Sequence, residues 1–86
     1  MILVSFDIKD YEVTTKLISK AKELGDMFMV LPNVFALDVQ YTDDIAKQLM
    51  KIAEGVGRIC VAEIHRKTMN GWFATECVSW INSKSF

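Results

Sequence analysis

Ile2, Val4, Phe6 and Ile8 alternate with Leu3, Ser5 and Asp7 at the start of the chain. Successive strand side chains point to opposite faces. The pattern predicts a strand over residues 1–8 that carries one carboxylate, Asp7, to its C-terminal end. Asp10 then has the chemistry of an N-cap, with Glu12 in the first turn. Val13, Leu17, Ala21 and Leu24 recur at helical spacing up to a stop at Gly25. Residues 27–31 form a short apolar segment, and Pro32-Asn33 predicts a hairpin link, because proline fixes φ and asparagine tolerates turn geometry. The returning strand is expected over residues 34–40. Phe35, Leu37 and Val39 share one face; Val34, Ala36, Asp38 and Gln40 share the other.

Thr42 is the expected cap of a second helix, with Asp43 and Asp44 in its first turn. Ile45, Leu49, Ile52, Ala53 and Val56 form its apolar stripe, and Gly55 and Gly57 end it. A last strand is expected over residues 58–64, with Cys60, Ala62 and Ile64 opposed to Ile59, Val61 and Glu63. Residues 68–71 read as a loop. Beyond it, Ala74, Cys77, Val78 and Ile81 support a short helix starting at Thr75 or Glu76, with Trp80 on its flank.

The order β-α-β-β-α-β is that of the ferredoxin-like split βαβ unit. The expected fold class is α+β: a four-stranded antiparallel sheet with two helices on one face and a short C-terminal helical tail, all in one domain over residues 1–86. The second face needs polar residues or a partner. The tail, residues 68–86, could cover it within the chain or reach across a dimer.

Composition sharpens this picture. A chain of 86 residues that is 51% hydrophobic is rich in apolar side chains for its size, and small domains bury a modest share of their surface. An apolar excess points to a partner, and a homodimer is the simplest one. The net charge of −1 argues against strong nonspecific nucleic-acid binding. Cys60 and Cys77 have no metal-ligand spacing, and both are expected to be ordinary buried thiols. No apolar run approaches membrane-spanning length and no secretory signal pattern is read, so a cytoplasmic protein with no membrane association is expected.

Candidate chemistry is sparse. A glycine-rich phosphate loop, a His/Cys cluster and a recognisable nucleophile–base arrangement are all missing. Lys16, Lys20 and Lys22 read as a solvated helix face. Asp38 reads as an exposed acid on a strand, and His65, the one histidine, as a surface residue. Asp7 is the residue that needs explaining, since a carboxylate on an apolar strand must be solvated, hydrogen-bonded or bound to a cation.

Several stretches together resemble a family. They are Val4-Ser5-Phe6-Asp7-Ile8, the Leu-Gly-Asp after the first helix, Val34-Phe35-Ala36-Leu37, Ile59-Cys60-Val61-Ala62-Glu63-Ile64, Gly71-Trp72, and Val78-Ser79-Trp80-Ile81. They are similar to small prokaryotic SinR-like proteins, and through them to the CRISPR-associated adaptation protein Cas-two and the VapD ribonucleases. The resemblance implies a ferredoxin-like homodimer in which Asp7 faces its copy across a two-fold axis. It leaves three functions open. One is a binding or scaffold module working through the sheet face and the aromatic tail residues Trp72, Phe73 and Trp80. Another is an endoribonuclease or endodeoxyribonuclease, with paired Asp7 residues as catalytic groups and ligands of Mg²⁺. The third is a small protein-binding inhibitor from a mobile element. For a nucleic-acid partner, Arg58, His65, Arg66 and Lys67 are the expected phosphate contacts, with Ser5 hydrogen-bonding near Asp7.

Overall fold

The computed structural model describes residues 1–86. Four strands and three helices follow in the order β1 (Ile2–Asp7), α1 (Tyr11–Leu24), β2 (Met27–Leu31), β3 (Val34–Leu37), α2 (Asp43–Ala53), β4 (Arg58–Glu63) and α3 (Thr75–Asn82), with a single 3₁₀ turn at Arg66–Thr68 before α3. The strands make one antiparallel sheet in the order β2-β3-β1-β4. β1 is therefore central, and β2 and β4 are its two edges.

The helix starts form where their caps dictate. The Asp10 carboxylate accepts from the backbone N–H groups of Glu12 and Val13, at 2.9 and 3.2 Å. The Thr42 hydroxyl accepts from Ile45 N–H at 3.1 Å. Each satisfies donors that a helix N-terminus leaves without partners. α1 ends at Gly25, whose N–H returns to the carbonyl of Ala21. The turn after α2 contains Gly55, which has a φ of 72°, a conformation that costs glycine little.

Ile2, Val4 and Phe6 of β1 join Phe35 and Leu37 of β3 beneath Leu17 and Ala21 of α1 and Leu49 of α2. This cluster is the main core. The tilted Phe6 and Phe35 rings lie 6.1 Å apart within it. α3 packs on the opposite face of the sheet, against β2. Its Trp80 lies over Phe28, ring centroids 5.7 Å apart. Cys77 and Ile81 are buried beneath it, and so is Ala36, the cross-strand partner of both Phe28 and Leu3. The tail thus covers the β2–β3 side of the second face within its own chain.

Two expectations need correction. β3 stops at Leu37, because Leu37 already pairs with Ile2, where β1 begins. Asp38 therefore lies beyond the strand, just before a bend at Val39, its N–H bonded to the carbonyl of Asp26 at 2.8 Å. Cys60 is exposed, since it lies on the uncovered side of the second face; Cys77 alone is a buried thiol. Burial raises the Cys77 thiol pKa by desolvating the thiolate.

Candidate functional site

Register decides what surrounds Asp7. β4 runs antiparallel to β1 with Asp7 opposite Arg58 and Ser5 opposite Cys60. Cross-strand partners share a face, so the carboxylate, the hydroxyl, the guanidinium and the thiol stand together on the uncovered side. All four residues are exposed. With Phe6, Asn33 and Ile59 they line a shallow concavity of about 230 Å³. The carbonyl of Asn33 accepts from Phe6 N–H at 3.0 Å, which fixes the hairpin turn against the end of β1.

Gly57 holds this end of the sheet together. A Cβ at that position would lie 2.6 Å from the Asp7 carbonyl oxygen and 2.8 Å from the Ile8 side chain. Only a residue without a side chain lets the turn from α2 approach β1 so closely and start β4 with Arg58 opposite Asp7.

One chain supplies Asp7 as a single carboxylate here. No group of three or more His, Cys, Asp or Glu side chains is placed to hold a metal ion. Mg²⁺ prefers hard oxygen ligands and keeps several waters, so one or two carboxylates can hold it beside a phosphate. Two Asp7 carboxylates would meet that need only across a two-fold axis.

The expected phosphate contacts are not brought together as one strip. Arg58 lies beside Asp7. His65 Nε2 faces Glu63 Oε1 at 3.3 Å, and Lys67 is exposed on the 3₁₀ turn. Arg66 is occupied by the fold. Its guanidinium donates to the carbonyls of Ile81 and Lys84, both at 3.3 Å, and to Asn82 Oδ1 at 2.6 Å. It also lies 5.9 Å from the Phe86 ring centroid. Arg66 thus ties the 3₁₀ turn to the C-terminal end of α3 and the residues just after it.

The aromatic tail divides similarly. Trp80 is turned inward onto Phe28, and its Nε1 donates to Asp26 at 3.1 Å. Phe73 is half-buried in a groove of about 410 Å³ that Leu3, Leu31, Val34 and Ile64 also line. Trp72 is 100% exposed. Asp26, which pattern reading passed over, also pairs with Lys84. The Lys84 hydrogen bond is the main cause that lowers its pKa; partial desolvation opposes it, and the charge of Lys84 and the Trp80 N–H reinforce it.

A second set of charges was equally invisible in the pattern. Lys47 and Lys51 lie one turn apart on α2. With Met50, Glu54, Arg58 and Ile59 they border a groove of about 750 Å³ beside the start of β4. Their i,i+4 spacing was the available signal, but it reads as an ordinary solvated face until β4 is known to lie alongside.

Comparison with protein-family models, with curated proteins and with solved structures finds no match to this chain. No helix is long and apolar enough to cross a membrane.

Proposed function

We propose that this chain is a ferredoxin-like module that works as a homodimer, a binding or scaffold unit of the SinR-like and Cas-two-like kind. The β-α-β-β-α-β order and the strand order β2-β3-β1-β4 support the ferredoxin-like reading. The observation that carries the dimer is the half of the second face that α3 leaves open. There the Leu3–Ile64 groove lies beside Ser5, Cys60 and Ala62, which are small and exposed, while Trp72 projects fully into solvent. A second copy laid on this surface would bury Trp72 and the groove and bring the two Asp7 residues near one another. Sedimentation velocity tests this reading. A dimer at micromolar concentration that Leu3→Glu or Trp72→Ala converts to monomer supports it. A strict monomer across that range overturns it.

A second reading has its own observation, the placement of exposed Asp7 opposite Arg58. In a dimer, paired Asp7 carboxylates would hold Mg²⁺, and Arg58 would contact the phosphate of a bound strand. The metal, when bound, would polarise a phosphodiester oxygen or activate water. Cleavage of RNA and DNA with Mg²⁺ or Mn²⁺, compared between wild type and Asp7→Ala, decides it. Activity lost in the variant supports the nuclease; equal activity in both proteins, or none in either, removes it.

A further inference from the structure

The two edges of the sheet differ in how they are protected. Edge strands expose unpaired N–H and C=O groups, and proteins commonly blunt them with bulges, prolines, charges or a covering element. β2 has three of these devices: a register irregularity between Met29 and Leu31, the following Pro32, and α3 packed against it. β4 has neither bulge nor proline; its charges, Arg58 and Glu63, stand at its two ends, and α2 packs against one face of it. It pairs regularly with β1 over all six of its residues, and Ile59, Cys60, Val61 and Ala62 carry no charge. Its outer backbone groups face no other strand.

The groove beside the start of this edge has a definite sign. Its charged residues are Lys47, Lys51 and Arg58 against the single acid Glu54, and Met50 and Ile59 supply apolar surface between them. We infer that the β4 edge takes an extended acidic segment of another polypeptide as a fifth strand. Main-chain hydrogen bonds to β4 would supply affinity, and alternate side chains facing α2 would meet Lys47, Lys51 and Met50. Acidic residues every second position, with apolar ones between or beside them, are the chemistry that fits. Charge selects this occupant over a second copy. Pairing β4 with itself across a two-fold axis would run antiparallel and set the two grooves at opposite ends, each beside a single Glu63, whereas an alternating acidic segment brings an acid to each lysine. A nucleic-acid strand would satisfy the lysines but leave the β4 donors and acceptors without a matching ladder. The inference concerns a different surface from the proposed dimer face and holds whether or not that face is occupied.

The test uses the full chain and short fluorescein-labelled peptides that alternate valine with glutamate or with lysine. Fluorescence anisotropy should show binding of the glutamate peptide only. NMR hydrogen exchange should show new protection at alternate amides of β4. Lys47→Glu with Lys51→Glu should weaken the glutamate peptide by about tenfold, as two exposed charge pairs are reversed. Both lysines are exposed, so the variant should fold, and circular dichroism checks this. Equal binding of both peptides, no binding of the glutamate peptide, or protection confined to the open face would overturn the inference. So would tighter binding of an oligouridine strand at the same lysines, or self-association through β4.

Discussion

The Asp26 carboxylate accepts from Trp80 Nε1 and pairs with Lys84 Nζ, so one side chain after α1 ties down the C-terminal end of α3 and the residues that follow it. Its folded-state pKa is depressed chiefly by the Lys84 hydrogen bond. A depressed carboxylate stabilises the fold at pH values above its unfolded pKa, and that contribution is lost as pH falls through the lowered folded value. α3 should therefore loosen from β2 below the ordinary carboxylate range, about pH 4. Trp80 fluorescence followed through an acid titration should shift to the red there, and Asp26→Asn should show the loosened spectrum already at neutral pH. Trp72 is the other tryptophan and does not contact Asp26, so a Trp72→Phe background isolates the signal. Arg66 works at the same scale. Its acceptors lie 15, 16 and 18 residues away along the chain. In the sequence it stands between His65 and Lys67 and reads as part of a basic run. Nothing local distinguishes a guanidinium that ties down a distant helix end from one that waits for phosphate. Arg66→Lys keeps the charge but cannot reproduce the forked donation, and it should lower the thermal midpoint of α3 docking, read by near-ultraviolet circular dichroism.

At the scale of elements, local chemistry was largely legible because the signals are local. The Asp10 and Thr42 caps, the Gly25 stop and the Pro32-Asn33 turn each depend on residues within a few positions. Thr42→Ala should cost about 1 kcal/mol, the usual value of a lost N-cap, measured by urea unfolding. What pattern reading missed depends on how elements meet. β3 ends at Leu37 because its partner begins at Ile2, and alternation continued through Asp38 and Val39 without any hint of that limit. Cys60 looked buried because it sits in an apolar run, but its face of β4 is uncovered. Asp7 was legible as an unusual acid, while its opposition to Arg58 required the β1–β4 register. That register depends on Gly57 fitting against β1. Gly57→Ala would place a Cβ 2.6 Å from the Asp7 carbonyl oxygen. The turn must then move, at a cost of about 1–3 kcal/mol, typical of overpacking. The expected result is a lower urea midpoint together with shifted amide resonances at Asp7 and Arg58.

At the scale of the whole molecule, the core is small: 14 of 86 residues are buried. Total stability is expected at roughly 0.05–0.15 kcal/mol per residue. A single core truncation therefore consumes a large share of it, and Leu49→Ala should remove about 2–5 kcal/mol. The two faces of the sheet are unlike in this respect. On one, α1 and α2 share the cluster of Phe35, Leu37 and Leu49 with β1. On the other, α3 contributes only Cys77 and Ile81 as buried residues, and polar links at Asp26 and Arg66 hold much of its position. Fewer buried contacts mean a lower free energy of local opening. α3 should thus open as a separate unit while the sheet stays folded, exposing Phe28 and Ala36 and joining the two halves of the second face into one apolar surface. Native-state hydrogen exchange measures this directly. The α3 amides should exchange with a lower opening free energy than those of Val4 and Phe35. Asp26→Asn should lower the α3 values further and leave β1 and β3 nearly unchanged. If α3 and β1 instead exchanged at one common free energy in both proteins, the tail would be an integral part of the core, and the second face would be permanently divided between cover and open surface.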